Sequence, residues 1–204
     1  MANIIDFPVK ENIKFGLRRV KKPKEIYLKR SSQIDLFSPL SSEANVYVLP
    51  TDLSPFEHAL VLDENHEEKA DEAYRKAISS NDCVADAYCN LGILEYEAGK
   101  IVKAMDCFTK SLKHEPRHFE SHYNLGNLYS EIGNLPLAKM HYEFTKELQP
   151  GFPDVYFNLG LVYAMTKDFE SAVKILSHYK EMAAGVDSSN AEKLIDAIKK
   201  SLSL

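Results

Sequence analysis

Asparagines stand at Asn90, Asn124 and Asn158, and carboxylates at Asp86, Glu120 and Asp154, each member 34 residues after the last. An asparagine amide both donates and accepts, so a row of them can pair with the backbone of an extended chain whatever its side chains. A matching row of acids favours a basic or neutral chain over an acidic one. Other groups invite chemistry without sustaining it. His114, His118 and His122 fall at helical spacing, but Pro116 breaks the run between the first two, and a metal site needs convergent ligands. They read as core or surface histidines. Cys83, Cys89 and Cys107 cannot all pair within one chain and have no zinc spacing. They read as reduced thiols of a cytoplasmic protein. No phosphate-binding glycine loop, nucleophile elbow or metalloprotease helix is present. The sequence thus predicts a binding protein rather than an enzyme, with no catalytic residue, metal, cofactor or small-molecule substrate.

Such rows need a repeating element to position them, and several residue types keep the same 34-residue phase. Alanine recurs at Ala70, Ala104, Ala138 and Ala172. Asn-Leu-Gly recurs at Asn90-Leu91-Gly92, Asn124-Leu125-Gly126 and Asn158-Leu159-Gly160, and an aromatic or leucine at Tyr74, Phe108, Tyr142 and Leu176. Each unit reads as two helices. The first, near 85–98, carries Tyr88, Leu91, Gly92 and Leu94 as a buried stripe. Gly99, like Gly133 in the next unit, supplies the left-handed turn that ends it. The second, near 101–114, turns Ala104, Phe108, Ser111 and Leu112 inward. Pro136 suits the start of a second helix, while Pro116 and Pro150 close their units. Gly92, Gly126 and Gly160 are expected to face Ala104, Ala138 and Ala172 where helix axes approach. A larger side chain there would cost about 1–3 kcal/mol.

This pattern resembles the tetratricopeptide repeat (TPR), which has Leu-Gly in the first helix, alanine and an aromatic in the second, and a closing proline. Units fall at 51–84, 85–118, 119–152 and 153–186. The third fits best, through His122, Leu125, Gly126, Tyr129, Ala138, Tyr142, Thr145 and Pro150. Departures are Glu95 where tyrosine is expected, His58 for glycine and Asp82 for proline in the first unit, and Tyr179 for a small residue. The first unit's first helix is therefore expected to be short or shifted. The resemblance implies an all-α, right-handed TPR solenoid of about four helix pairs. A C-terminal capping helix over 187–204 would carry Leu194, Ile195, Ile198 and Leu202.

In that family the first helix of each pair lines the concave surface. The resemblance makes Asp86, Asn90, Glu120, Tyr123, Asn124, Asn127, Asp154, Phe157 and Asn158 peptide-binding residues, with Tyr123 and Phe157 as apolar anchors. The asparagine row is similar to the ladder in the repeat domain of O-GlcNAc transferase, which holds peptide backbones; the other reading makes it family architecture only. Chaperone-binding members clamp a C-terminal carboxylate with Lys and Arg, and no matching groove position here is basic. The implied function is an interaction scaffold or adaptor holding an extended basic or neutral protein segment.

Residues 1–50 form the remaining unit, a basic arm with nine Lys/Arg against five Asp/Glu, on a body with sixteen against twenty-five. Lys10 to Arg30 holds all nine. Three readings stay open: a flexible solvated arm, contact with nucleic-acid phosphate, and docking onto the acidic repeats or a partner. The second gives the alternative function, a nucleic-acid-associated regulator whose repeats recruit a protein. No apolar window is long enough to cross a membrane.

Overall fold

Helices follow the 34-residue phase in the computed structural model, which describes residues 15–21, 53–183 and 188–202. In chain order they are α1 (Pro55–Glu64), α2 (Ala70–Ser79), α3 (Val84–Glu97), α4 (Ile101–His114), α5 (Phe119–Glu131), α6 (Leu135–Leu148), α7 (Pro153–Met165), α8 (Phe169–Met182) and α9 (Ser189–Leu202). They pack as the pairs α1–α2, α3–α4, α5–α6 and α7–α8, each pair against the next, with α9 laid on α8. The fold is all-α, as expected. Among the described residues no helix is long and apolar enough to cross a membrane.

The tight turns inside the pairs use left-handed backbone at one phase position. Gly99 (φ +73°) and Gly133 (φ +78°) take it cheaply, and Lys167 (φ +62°) takes the same place in the fourth pair. In the first pair the turn residue is His66 (φ +55°), one position late, and α2 begins three residues later than the phase of α4 dictates. The first unit is indeed shifted and short. Ser54 holds its start through a capping box, accepting from the Glu57 N–H while the Glu57 carboxylate accepts from the Ser54 N–H.

The seam of each pair is built on the phased small residues. Ala104, Ala138 and Ala172 are fully buried and Ala70 nearly so. The glycines have a different partner from the one expected. A Cβ added at Gly92 would lie 2.7 Å from the Phe108 ring, at Gly126 2.6 Å from Tyr142, and at Gly160 2.6 Å from Leu176. The phased large residue of the second helix, not the alanine, presses on the glycine. Glu95 survives at a tyrosine position because Arg75 bonds it at 2.8 Å and Lys100 approaches at 3.4 Å. On α9, Ala191, Ile195 and Ile198 are buried and cover the last pair, whereas Leu202 is exposed. The readings of the basic arm over 1–14 and 22–50 lie outside the described residues.

Candidate functional site

The first helices α3, α5 and α7 carry the asparagine ladder on one face, and residues 15–21 of the basic arm lie across it. The segment runs from the fourth pair towards the first. Asn158 Oδ1 accepts the Phe15 N–H at 2.9 Å, and its Nδ2 donates to the Phe15 carbonyl at 3.0 Å. Asn124 treats Arg18 alike, at 2.8 and 3.0 Å. Asn90 does the same for Val20, at 2.8 and 3.1 Å. Asn127 adds a bond from Nδ2 to the Gly16 carbonyl at 3.0 Å. Of the readings open for the arm, these residues take the docked one; they are not free in solvent.

Side chains of the segment are seated as well. Phe15 meets the Phe157 ring edge-on at 5.4 Å and Tyr179 at 6.0 Å. Leu17 and Val20 pack on the apolar cluster of Cys89, Ile93, Leu125 and Leu128. Arg18 lays its guanidinium over Phe152 at 4.4 Å and Phe119 at 5.8 Å. Arg19 makes a two-bond fork with Glu97, at 3.0 and 2.8 Å, while its Nε donates to Asp63 Oδ2 at 3.0 Å. Burial opposes the charge on Arg19, but the hydrogen bonds to Glu97 and Asp63 outweigh it and hold the guanidinium protonated more firmly than usual.

Beneath the segment the amides tie into the core. Asn90 Nδ2 also donates to the Tyr74 hydroxyl, which donates to Asp63 at 2.9 Å. Asn124 Nδ2 reaches Cys89 Sγ at 3.4 Å, and Asn158 Nδ2 shares its hydrogens with Tyr123 and Asn127. Burial pushes the Tyr74, Tyr123 and Cys89 protons towards greater retention. These hydroxyls and the thiol stay neutral and act as fixed hydrogen-bonding groups.

Most of the expected groove residues come together here, in altered roles. Tyr123 is fully buried and offers its hydroxyl to the Phe15 carbonyl at 3.3 Å, so it is not an apolar anchor. Phe157 is the aromatic seat. Glu120 and Asp154 face the segment near Arg18; burial raises both carboxyls above their usual range, and Arg18 offsets this only in part. Asp86 goes elsewhere: its Oδ1 meets His118 Nε2 at 2.9 Å, and among the described residues it holds no bond to the segment. Asp86, Glu115 and His118 do bring ligand atoms within 4.8 Å of one another. His118 Nδ1 accepts the Ser121 N–H, however, so its Nε2 proton is committed to Asp86.

The contacts that residue spacing did not single out are Asp63, Phe119, Phe152 and Tyr179. Asp63 was within reach, because it occupies in the first unit the position of Glu97 in the second. Tyr179 stands out as the bulky departure from the repeat pattern. Phe119 and Phe152 lie at unit ends, outside the groove-lining positions, and carry no such signal.

The comparisons follow the same phase. TPR family profiles match residues 85–118, 107–140 and 153–184. No curated protein sequence matches the chain. Among solved structures, the first TPR of Spaghetti (RPAP3) bound to the HSP90 peptide SRMEEVD is 19% identical. It covers 59% of this chain and 94% of its own, with a TM-score of 0.55. The Yersinia enterocolitica type III secretion translocator chaperone SycD is 17% identical over 59% of this chain and 87% of its own, with a TM-score of 0.56. MamA is 18% identical over 70% and 89%, with a TM-score of 0.57. At such identities the likeness speaks for the fold. With helix pairs, buried alanines and matched profiles all sharing one 34-residue phase, the chain belongs to the tetratricopeptide repeat family.

Proposed function

We propose that this chain is a protein-interaction adaptor whose concave groove holds an extended basic or neutral segment of a partner by its backbone. The observation that carries this is the pairing of Asn90, Asn124 and Asn158 with both polar backbone atoms of Val20, Arg18 and Phe15. Backbone pairing tolerates many side chains, and each such bond contributes about 0.5–1.5 kcal/mol net. Asn127 adds a fourth amide, Phe157 an aromatic seat, and Glu120 and Asp154 a preference for positive charge; Asp86, paired with His118, is left outside this set. Residues 15–21 are then the groove's resident occupant. Three free thiols suit a reducing cytoplasm as the setting. Phosphate contact through Arg18 and Arg19 is disfavoured, because Arg19 is bonded to two carboxylates and Arg18 is stacked on rings.

Affinity capture with the full chain tests the reading. A partner held by the wild type should be lost from the Asn90→Ala, Asn124→Ala, Asn158→Ala triple variant. A partner retained by that variant, yet lost on Lys103→Glu or Lys110→Glu in α4, would move binding to the outer face and contradict it.

A further inference from the structure

The resident segment does not fill the groove. Beside it lies a cavity of about 490 Å³, walled on one side by the segment and on the other by Glu120 and Asp154. Among the described residues, Asp154 has no hydrogen-bonded cation. Glu120 has its own backbone N–H and, at 3.7 Å, His118 Nδ1, a nitrogen that already accepts the Ser121 N–H, among the described residues. Arg18, whose charge reaches both, spends its guanidinium on the Phe152 and Phe119 rings, and Lys21 also borders the cavity. Two partly buried carboxylates therefore share one guanidinium that bonds neither. Burial raises both their pKa values in spite of it.

Gly16 borders this cavity. A Cβ built on it meets no atom within 4 Å, and its φ lies outside the left-handed region, so the backbone there accepts a side chain. The segment is thus smallest at a place that borders the acidic space and has room for a longer side chain. Charge-assisted hydrogen bonds are the stronger kind, and a half-buried site screens them less than open water does.

We infer that the groove's partner is a basic segment of another protein that repeats the frame of residues 15–20 but carries lysine or arginine at the place Gly16 holds. The resident segment is the weaker competitor that this partner displaces. The inference rests on the groove reading above and adds to it the partner's sequence frame. An aromatic residue sits against Phe157 and Tyr179, and the added cation follows it directly. Arginines come three and four places after the aromatic, and an aliphatic residue comes next. Tethering favours the resident, since a segment of the same chain competes at a raised effective concentration. An added ion pair with Glu120 and Asp154 offsets that advantage.

Labelled peptides of residues 13–22, with glycine kept or with Gly16→Lys, test this against the full chain. Phe15→Ala and Arg19→Ala in the chain's own segment loosen its hold and leave the three asparagines, Glu120 and Asp154 in place. On that opened chain the Gly16→Lys peptide should bind about ten- to a hundredfold tighter than the glycine peptide, from about 1.4–3 kcal/mol of added ion pairing. The advantage should vanish with Glu120→Gln plus Asp154→Asn and shrink as salt rises. Both peptides should bind the wild-type chain at least tenfold more weakly than the opened one. Equal binding by the two peptides, lost in the Asn90→Ala, Asn124→Ala, Asn158→Ala chain, would overturn the inference and leave the groove standing. So would equal binding to the wild-type and opened chains. Binding indifferent to the three asparagines, or no binding of either peptide to the opened chain, would overturn the groove reading and the inference with it.

Discussion

Asn90 grips both polar backbone atoms of Val20, accepting its N–H at 2.8 Å and donating to its carbonyl at 3.1 Å. The same amide passes a hydrogen bond to Tyr74, Tyr74 to Asp63, and Asp63 receives Arg19, the residue just before Val20. The ring closes through the first two helix pairs. A segment distant in sequence thereby becomes part of the hydrogen-bond inventory of the core, and loosening it leaves buried polar groups without partners.

Arg19 and Arg18 should therefore differ sharply on truncation. Arg19→Ala leaves Asp63, whose side chain is 4% exposed, with the Tyr74 hydroxyl as its one side-chain partner among the described residues. Breaking a buried pair costs about 3–5 kcal/mol. Arg19 is itself 29% exposed, so about 2 kcal/mol is the better expectation after screening. Arg18→Ala loses contacts with two rings, worth about 0.5–1 kcal/mol at an exposed site. Thermal melts of the two variants should rank in that order.

Gly126→Ala should destabilise the chain, against the gain of up to about 1 kcal/mol that alanine usually brings to a helix. Its Cβ would sit 2.6 Å from two ring atoms of Tyr142, which is fully buried and bonded to Asn127. A net loss of about 1–2 kcal/mol, a few degrees in Tm, is expected. Glu147→Ala on the exposed side of α6 serves as the control and should change little.

How much of this was legible in the sequence follows from what each interaction depends on. The helix pairs were legible because side-chain packing repeats: Ala104, Ala138 and Ala172 must be small wherever two helices meet, so the phase survives in the letters. The ladder was legible for the same reason. Its occupant was not. Phe15 to Val20 are held largely by backbone atoms, which every residue possesses, so nothing in their spacing announces the match with Asn158, Asn124 and Asn90. The depth at which the three asparagines sit was not legible either. They are buried, at 0–2% exposure, because the segment covers them and Tyr74, Cys89 and Tyr123 bond them from below.

Acid should weaken the third helix pair. His141 Nδ1 meets His122 Nδ1 at 3.0 Å, and burial lowers the His141 pKa to about 4, with His122 adding a smaller push. An unfolded histidine titrates near about 6.5. The unfolded chain thus takes up the proton first as pH falls. Stability is full above about 6.5 and is lost progressively down to about 4, by on the order of 2–3 kcal/mol at most. Tm measured from pH 7 to pH 4 should fall less steeply for His141→Gln than for the wild type.

Backbone amide exchange across residues 15–20 tests the account most directly. Phe15, Arg18 and Val20 donate their N–H groups to Asn158, Asn124 and Asn90, whereas Gly16, Leu17 and Arg19 make no such bond among the described residues. NMR exchange rates in the full chain should show slow amides at 15, 18 and 20, with fast ones at 16, 17 and 19. Asn124→Ala should speed Arg18 most, by about tenfold or more if the bond contributes about 1.4 kcal/mol. Uniformly fast exchange along the segment, or protection at 18 that survives Asn124→Ala, would contradict the claim that the asparagine ladder holds a chain by its backbone.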